Sequence, residues 1–358
     1  MSRVHVFLGS GGVGKTTLAA GTAMTGAMAG RRVVVLTVDP ARRLADTLGL
    51  GTTDNEPRLV AGPWPGELWA AQLDPTATFA TLLHNHGRPD QAQRVLDNQL
   101  FCTITESMSG INEYMAAERL HQLHHDGRFD QVVVDTPPSR HAIDFLDSPH
   151  RMVDFLDNRL YRTVLAPRSG VLRSVSSAAQ LVLRLVGRLV GVDLVHDVIR
   201  LFSDLEGFDH GFRQRAIETS GLLAGPACRY TLVTSARAEP IREAAWIGRQ
   251  LSERGLPVHT VIANRLTPFG RDTTTTAGRG AGRAALQENL NQLRAMAVHE
   301  DELLDELIDE LGSGPTVIRL TERLRPLRSR DDLLDLAGQV VPNPVHRRAR
   351  PRPLQSTR

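Results

Sequence analysis

The chain has 358 residues, of which 41% are hydrophobic and 23% charged, with a formal net charge of +2. That length buries a large core as one α/β domain or two smaller ones, and the near-balanced charge argues against a nucleic-acid-binding face. Its two cysteines, Cys102 and Cys228, are too far apart for a CxxC metal pair and too few for a disulfide framework. No charged-then-apolar leader opens the chain, so a cytoplasmic location is expected. Lysine and arginine together number 42, and only Lys15 is a lysine.

Solid apolar runs at 4–8, 33–38, 68–73, 131–134, 230–234 and 258–263 predict short buried strands, each followed by turn residues or a helical pattern. The alternation predicts an α/β fold, with a mostly parallel sheet flanked by helices. Between Asp147 and Pro226 no strand pattern appears, so a helical insertion is expected there. Its most apolar stretch, 178–195, is interrupted by Arg184, Arg188 and Asp193, which excludes a membrane span. That stretch either packs on its own domain or holds an apolar client helix or membrane partner. The segment 270–283 reads as a Gly/Thr-rich loop. The organisation expected is a core over 1–146 and 227–340, an insertion over 147–226, and a basic Pro-rich disordered tail over 341–358.

The chemistry begins at FLGSGGVGKTT (7–17), where Gly9, Gly14, Lys15 and Thr16 satisfy G-x-x-x-x-G-K-[ST]. A strand that ends in a glycine turn and enters a helix points its backbone N–H groups at a polyphosphate. Gly11, Gly12, Val13, Gly14, Lys15, Thr16 and Thr17 are the residues expected to bind ATP there. Lys15 is a compact charge on a long stem suited to the β- and γ-phosphates, and arginine's planar fork does not fit that role. Thr16 offers a hydroxyl to Mg²⁺. A second strand ends in Asp135, whose carboxylate is expected beside Thr16, holding the magnesium through water. A third ends in Asp39-Pro40, where Asp39 is placed to orient the attacking water or to cap the helix that follows.

The same glycines, Gly9, Gly11 and Gly14, with Asp39 beyond, also fit a dinucleotide-binding Rossmann fingerprint for NAD. That reading leaves Lys-Thr-Thr and Asp135 without a purpose. In HQLHHD (121–126), His121 and His125 stand one turn apart as zinc ligands can, but a solvated helix end is the preferred reading. In 299–311 the leucines Leu303, Leu304, Leu307 and Leu311 predict an amphipathic helix.

GGVGKTT, VDPARRLAD, DTPPSRH and VIANRL occur in this order and resemble the ArsA family of ATPases. That family includes the arsenite-pump ATPase and the eukaryotic ATPase that targets tail-anchored membrane proteins. The resemblance covers roughly residues 1–145 and 226–335 and implies a P-loop NTPase, here with a single nucleotide-binding unit. By resemblance Asp39 is the switch aspartate that positions the hydrolytic water, and Asp135 is the magnesium-linked acid of the DTAPTGH motif. Asn264 matches the asparagine that reads adenine, and Pro326, within LRPLRS (324–329), falls where the family folds a loop over the base. SGINEYMAAERL (109–120) resembles a segment near the family's dimer interface.

Three departures qualify the resemblance. Ser10 stands where the family's GKGGVGKTT has a second lysine that crosses to the partner's phosphates. Arg140 replaces a glycine, and the dimer-bridging CxxC of eukaryotic relatives is missing, so no zinc is expected. The partner is then a second copy of this chain, with Arg140 or Arg42 supplying the missing charge, or a lysine-bearing paralogue in a heterodimer.

Overall fold

The computed structural model describes residues 2–39, 43–50, 53–98, 110–157, 204–205, 208–268, 283–312, 314–323 and 330–340. The stretch 178–195, the 270–282 part of the Gly/Thr-rich loop, the tail, Arg42, Cys102 and Pro326 lie outside the described residues.

Eight strands form one sheet: β1 (Arg3–Gly9), β2 (Arg32–Thr37), β3 (Arg58–Val60), β4 (Glu67–Gln72), β5 (Gln131–Asp135), β6 (Cys228–Ser235), β7 (Val258–Leu266) and β8 (Thr316–Thr321). Their order is β3-β4-β2-β5-β1-β6-β7-β8, parallel throughout except for the antiparallel edge pair β3/β4. All six predicted strands are present, and two edge strands are additional. β8 escapes an apolar-run reading because Arg319 and threonines alternate with its buried residues, as an edge allows. β3 is three residues long with two of them exposed.

The described helices are α1 (Lys15–Met28), α2 (Arg43–Leu48), α3 (Pro75–His86), α4 (Pro89–Leu96), α5 (Ile111–His125), α6 (Arg140–Asp157), α7 (Asp209–Ala224), α8 (Ala238–Glu253), α9 (Arg283–Leu311) and α10 (Arg330–Val340). Because successive strand residues face opposite sides, the sheet builds two cores. Val4, Val6, Leu8, Val132 and Val134 pack under α5 to α9, whereas Phe7, Val33, Val35 and Val133 pack under α1, α2 and α10. Helix α1 is buried nearly all round by small side chains, and Gly21 lets α10 approach: a Cβ there would lie 3.1 Å from that of Ala337. As predicted, α9 buries Leu304 and Leu307, with Leu303 and Leu311 partly buried against the same core. Among the described residues no helix is long and apolar enough to cross a membrane.

The expected solvated helix end is present at His125, which is exposed. The expectation is corrected at His121, which with His124 is buried, because the C-terminal half of α5 lies inside the packing against α6 and α7. The Arg215 guanidinium, always a donor, approaches His121 Nδ1 at 2.8 Å, so that nitrogen accepts and Nε2 carries the proton. Burial, reinforced by Arg215 and the neighbouring His125 and His124, holds the His121 ring down at about 3 and hence neutral.

Beside it Glu118 is fully buried, with Oε1 3.3 Å from Arg215 Nε and accepting from Gln122 Nε2 at 3.0 Å. Burial pushes its carboxyl up to about 7 despite Arg215. Arg215 therefore compensates a carboxylate that its surroundings disfavour. Arg215→Leu is expected to lower the unfolding free energy by about 3 kcal/mol at pH 8, where Glu118 is ionised, and by less at pH 6, where it is protonated. Urea denaturation at the two pH values measures the difference.

Candidate active site

The sheet order sets β5 between β1 and β2, and register places Phe7, Asp135 and Thr37 in one row. The C-terminal ends of these three strands open into a crevice, the place where open parallel sheets bind ligands. Gly11, Gly12, Gly14, Lys15, Thr16, Thr17, Asp39 and Asp135's neighbour Thr136 line a cleft of about 360 Å³ there, with Asp46, Thr47, Pro138 and Arg265.

The loop after β1 owes its path to glycine. At Gly9 a Cβ would sit 2.1 Å from the Val233 carbonyl oxygen of β6, which no side chain tolerates. Gly14 has φ +97 and caps α1 without any side-chain acceptor, and no acidic residue stands in the first turn. The first amides of α1 are thus left for an anion. Lys15 Nζ donates to the carbonyl oxygens of Gly9 at 2.9 Å and Ser10 at 2.8 Å, which folds the ammonium over the loop.

Asp135 is 1% exposed and accepts from the Thr37 hydroxyl at 3.3 Å. Its Oδ1 is buried and has no hydrogen-bond partner among the described residues. Burial pushes the carboxyl up to about 6, against the opposing pull of the Thr16 hydroxyl, the Lys15 charge and the Thr37 hydroxyl, while Asp39 adds a further upward push. A buried carboxylate oxygen lacking a partner beside a threonine hydroxyl is a hard-oxygen donor set that suits Mg²⁺.

The segment after β5 is tied to the loop. The Thr136 hydroxyl donates to the Phe7 carbonyl at 2.6 Å, and the Ser139 amide to the Gly9 carbonyl at 3.2 Å. Strain falls on Ser139, at φ +44, and not on Arg140, whose exposed side chain does not line the cleft. The next residue, His141, meets the buried Glu113 of α5 at 3.2 Å, and Glu113 also accepts from the Gly110 amide. SGINEYMAAERL is thereby joined to DTPPSRH. Among the described residues, Glu113, His141 and Asp144 form the one set of three side chains close enough to share a metal ion; His121 and His125 belong to none.

Asn264 and Ser10 sit differently from the other expected residues. Asn264 Nδ2 donates to the Val13 carbonyl at 2.8 Å and its Oδ1 accepts from the Arg265 amide at 3.0 Å, so the side chain clamps the glycine loop to β7. Ser10 is 5% exposed, and its hydroxyl is buried with no partner among the described residues. Sequence reasoning missed Arg265, whose backbone is left-handed at φ +60 and whose side chain lines the cleft. The one signal was its place directly after Asn264 at a strand's C-terminal end.

A glycine loop that joins a strand to an uncapped helix, with a buried acid on the adjacent strand, defines a nucleotide-binding fold of the P-loop NTPase class. Residues 2–295 match the family described as anion-transporting ATPase, ArsA type, and the chain belongs to that family. It is similar to the arsenical pump-driving ATPase of Escherichia coli, 31% identical over 46% of this chain and 29% of that protein. It is also similar to ATPase get3 of Schizosaccharomyces pombe, 24% identical over 88% of this chain and 87% of that one. Protein Rv2184c of Mycobacterium tuberculosis is 33% identical over 41% of this chain and 37% of its own length. The matched region thus spans less than half of the E. coli and M. tuberculosis relatives.

Asp135 yields a pH prediction. Its pKa in the nucleotide-free fold is raised from 3.8 to about 6, so the unfolded chain gives up its proton first as pH rises. Stability is therefore lost between those two values, on the order of 3 kcal/mol in full above pH 6. Asp135→Asn is expected to melt higher than the wild type at pH 7.5 without nucleotide, to melt with it at pH 4, and to lose the Mg²⁺ dependence of nucleotide binding. Thermal melts at both pH values and a binding titration with and without Mg²⁺ check this.

Proposed function

We propose that this chain binds ATP with Mg²⁺ in the cleft at the ends of β1, β2 and β5 and hydrolyses it. Nucleotide state would drive a dimer between open and closed forms that serve membrane-protein targeting or a membrane transport partner. The observation that carries the reading is Lys15, the only lysine in the chain, poised over the loop carbonyls at an uncapped helix start. An ammonium that is given up by two carbonyls has two donors ready for the β- and γ-phosphate oxygens.

In this reading the amides from Gly11 to Thr17 surround the phosphates. Thr16 and Asp135 would hold Mg²⁺, Asp135 through water, and the ion would supply positive charge to offset that of the polyphosphate. Asp39, at the end of β2, orients a water molecule toward the γ-phosphorus. The water oxygen bonds to that phosphorus as its bond to the bridging oxygen breaks, ADP leaves with the electron pair, and the water's proton ends on Asp39 or phosphate. Adenine would fall to Asn264, once it exchanges the Val13 carbonyl for the base, and to Pro326. The Glu113–His141 contact supports a route from DTPPSRH into α5, and so toward the dimer-interface segment.

Ser10 favours a second reading. Its short side chain is buried and uncharged, so no lysine from this position reaches a partner. The chain would then be the nucleotide-binding regulatory subunit of a heterodimer with a lysine-bearing paralogue and turn over little ATP alone. Arg265 is the counter-candidate for the missing charge, because it lines the cleft, whereas Arg140 does not.

ATP turnover by the purified chain separates the readings. Self-sufficient hydrolysis predicts Mg²⁺-dependent turnover that rises with chain concentration, falls about 100-fold in Asp39→Ala, and falls in Arg265→Gln but not in Arg140→Gln. Tight Mg²⁺–ATP binding without turnover points to the regulatory subunit. Absence of ATP binding contradicts both.

A further inference from the structure

A cavity of about 640 Å³ lies toward the N-terminal ends of the strands, away from the nucleotide cleft at their C-terminal ends, roofed by the second half of α1 and by α10. Its floor is the face of β1, β6, β7 and β8, where His5 pairs in register with Arg229, Phe7 with Thr231, and Thr231 with Thr260. Strands covered on both faces ordinarily carry branched apolar residues there. Here His5, Thr231 and Thr260 pave the floor and leave space above it. The side of the sheet toward α5 to α9 shows the ordinary pattern, with Val4 and Val6 fully buried.

Among the described residues, the charge that lines this cavity has one sign: Arg3, Arg31 and Arg229 line it and no aspartate or glutamate does, while Asp130 interacts with Arg31 from outside it. Among the described residues none of the three arginines pairs with a carboxylate; Arg31 donates to the Gln131 amide oxygen at 3.2 Å. Burial and the three arginines hold the His5 ring down at about 4, so it is neutral and offers a donor and an acceptor. The Thr22 hydroxyl, on the α1 roof, is buried without a hydrogen-bond partner among the described residues. Ala29, Pro226, Ala227 and Val340 give the same space an apolar rim, whereas Phe7 and Ile262 beneath it are sealed in the core. A concavity of this size among the described residues, with exposed arginines and apolar residues at its rim and threonine hydroxyls along its floor, has the make-up of a small-molecule site.

We infer that this cavity binds a small amphipathic organic anion, its carboxylate or phosphate head at Arg3, Arg31 and Arg229 and its apolar body against Ala29, Ala227 and Val340. The guanidinium forks suit either head group. Arginine at the rim and hydroxyls within favour such an anion over a neutral apolar guest. This assignment is independent of the ATP reading, because no residue of the cavity belongs to the nucleotide cleft.

Calorimetric titration of the full chain with octanoate, octyl phosphate, octanol and octyltrimethylammonium tests it. At least one of the two anions is expected to bind about tenfold or more tightly than both octanol and the cation, a difference of ~1.4 kcal/mol or more. Octanoate and octyl phosphate between them identify the head group. The double variant Arg31→Gln/Arg229→Gln should lose that preference, and Thr22→Ile should weaken binding by filling the roof. The exposed Arg242→Gln should change nothing. Thermal melts confirm that each variant is folded, and either arginine single variant serves if the double does not fold. Equal binding of octanol and the anions, no binding of either anion, or anion binding untouched in the arginine variants overturns the assignment.

Discussion

The interaction on which the cleft depends is the Lys15 ammonium held against the carbonyl oxygens of Gly9 and Ser10. It exists only because the backbone turns tightly enough to bring two carbonyls to one nitrogen. That turn rests on Gly9, which has no room for a Cβ beside Val233, and on the positive φ of Gly12 and Gly14. Three neighbouring groups then fix the loop from outside: Asn264 on Val13, Thr136 on Phe7 and Ser139 on Gly9. The loop is preorganised by these hydrogen bonds. Preorganised donors of this kind stabilise charge without reorganisation when it develops.

The second constraint is the strand order. A β2-β5-β1 arrangement with Phe7, Asp135 and Thr37 in register sets Asp135 where it is buried on both sides and still next to Thr16. Burial raises its pKa, and the Thr16, Lys15 and Thr37 contacts offset only part of that push. The Glu118–Arg215–His121 group behaves differently. Its charges are compensated within the fold, and it ties α5 to α7.

Much of this was legible in the sequence for stated physical reasons. Doubly covered strands read as apolar runs, and the glycine loop with its lysine stands out at the end of the first one. Asp39 and Asp135 were legible as strand-end acids. The edge strands were not, because β8 alternates and β3 is too short to carry a pattern. The burial of His121 was hidden because it arises from α7, remote in sequence, which supplies Arg215. Arg265 was hidden because a left-handed residue after a strand leaves no mark in composition. The engagement of Asn264 with Val13 spans 251 positions of sequence, and no local rule reaches that far.

The most direct test of the account is Lys15→Arg, which keeps the charge and changes only its shape. Affinity for Mg²⁺–ATP is measured by titration, alongside the thermal melt of the nucleotide-free chain. The account predicts a fall in affinity of about 100-fold, roughly 2.7 kcal/mol, because a planar fork cannot take up the place of a compact ammonium over the loop. Affinity within about twofold of the wild type, in a variant that melts like it, would contradict the account.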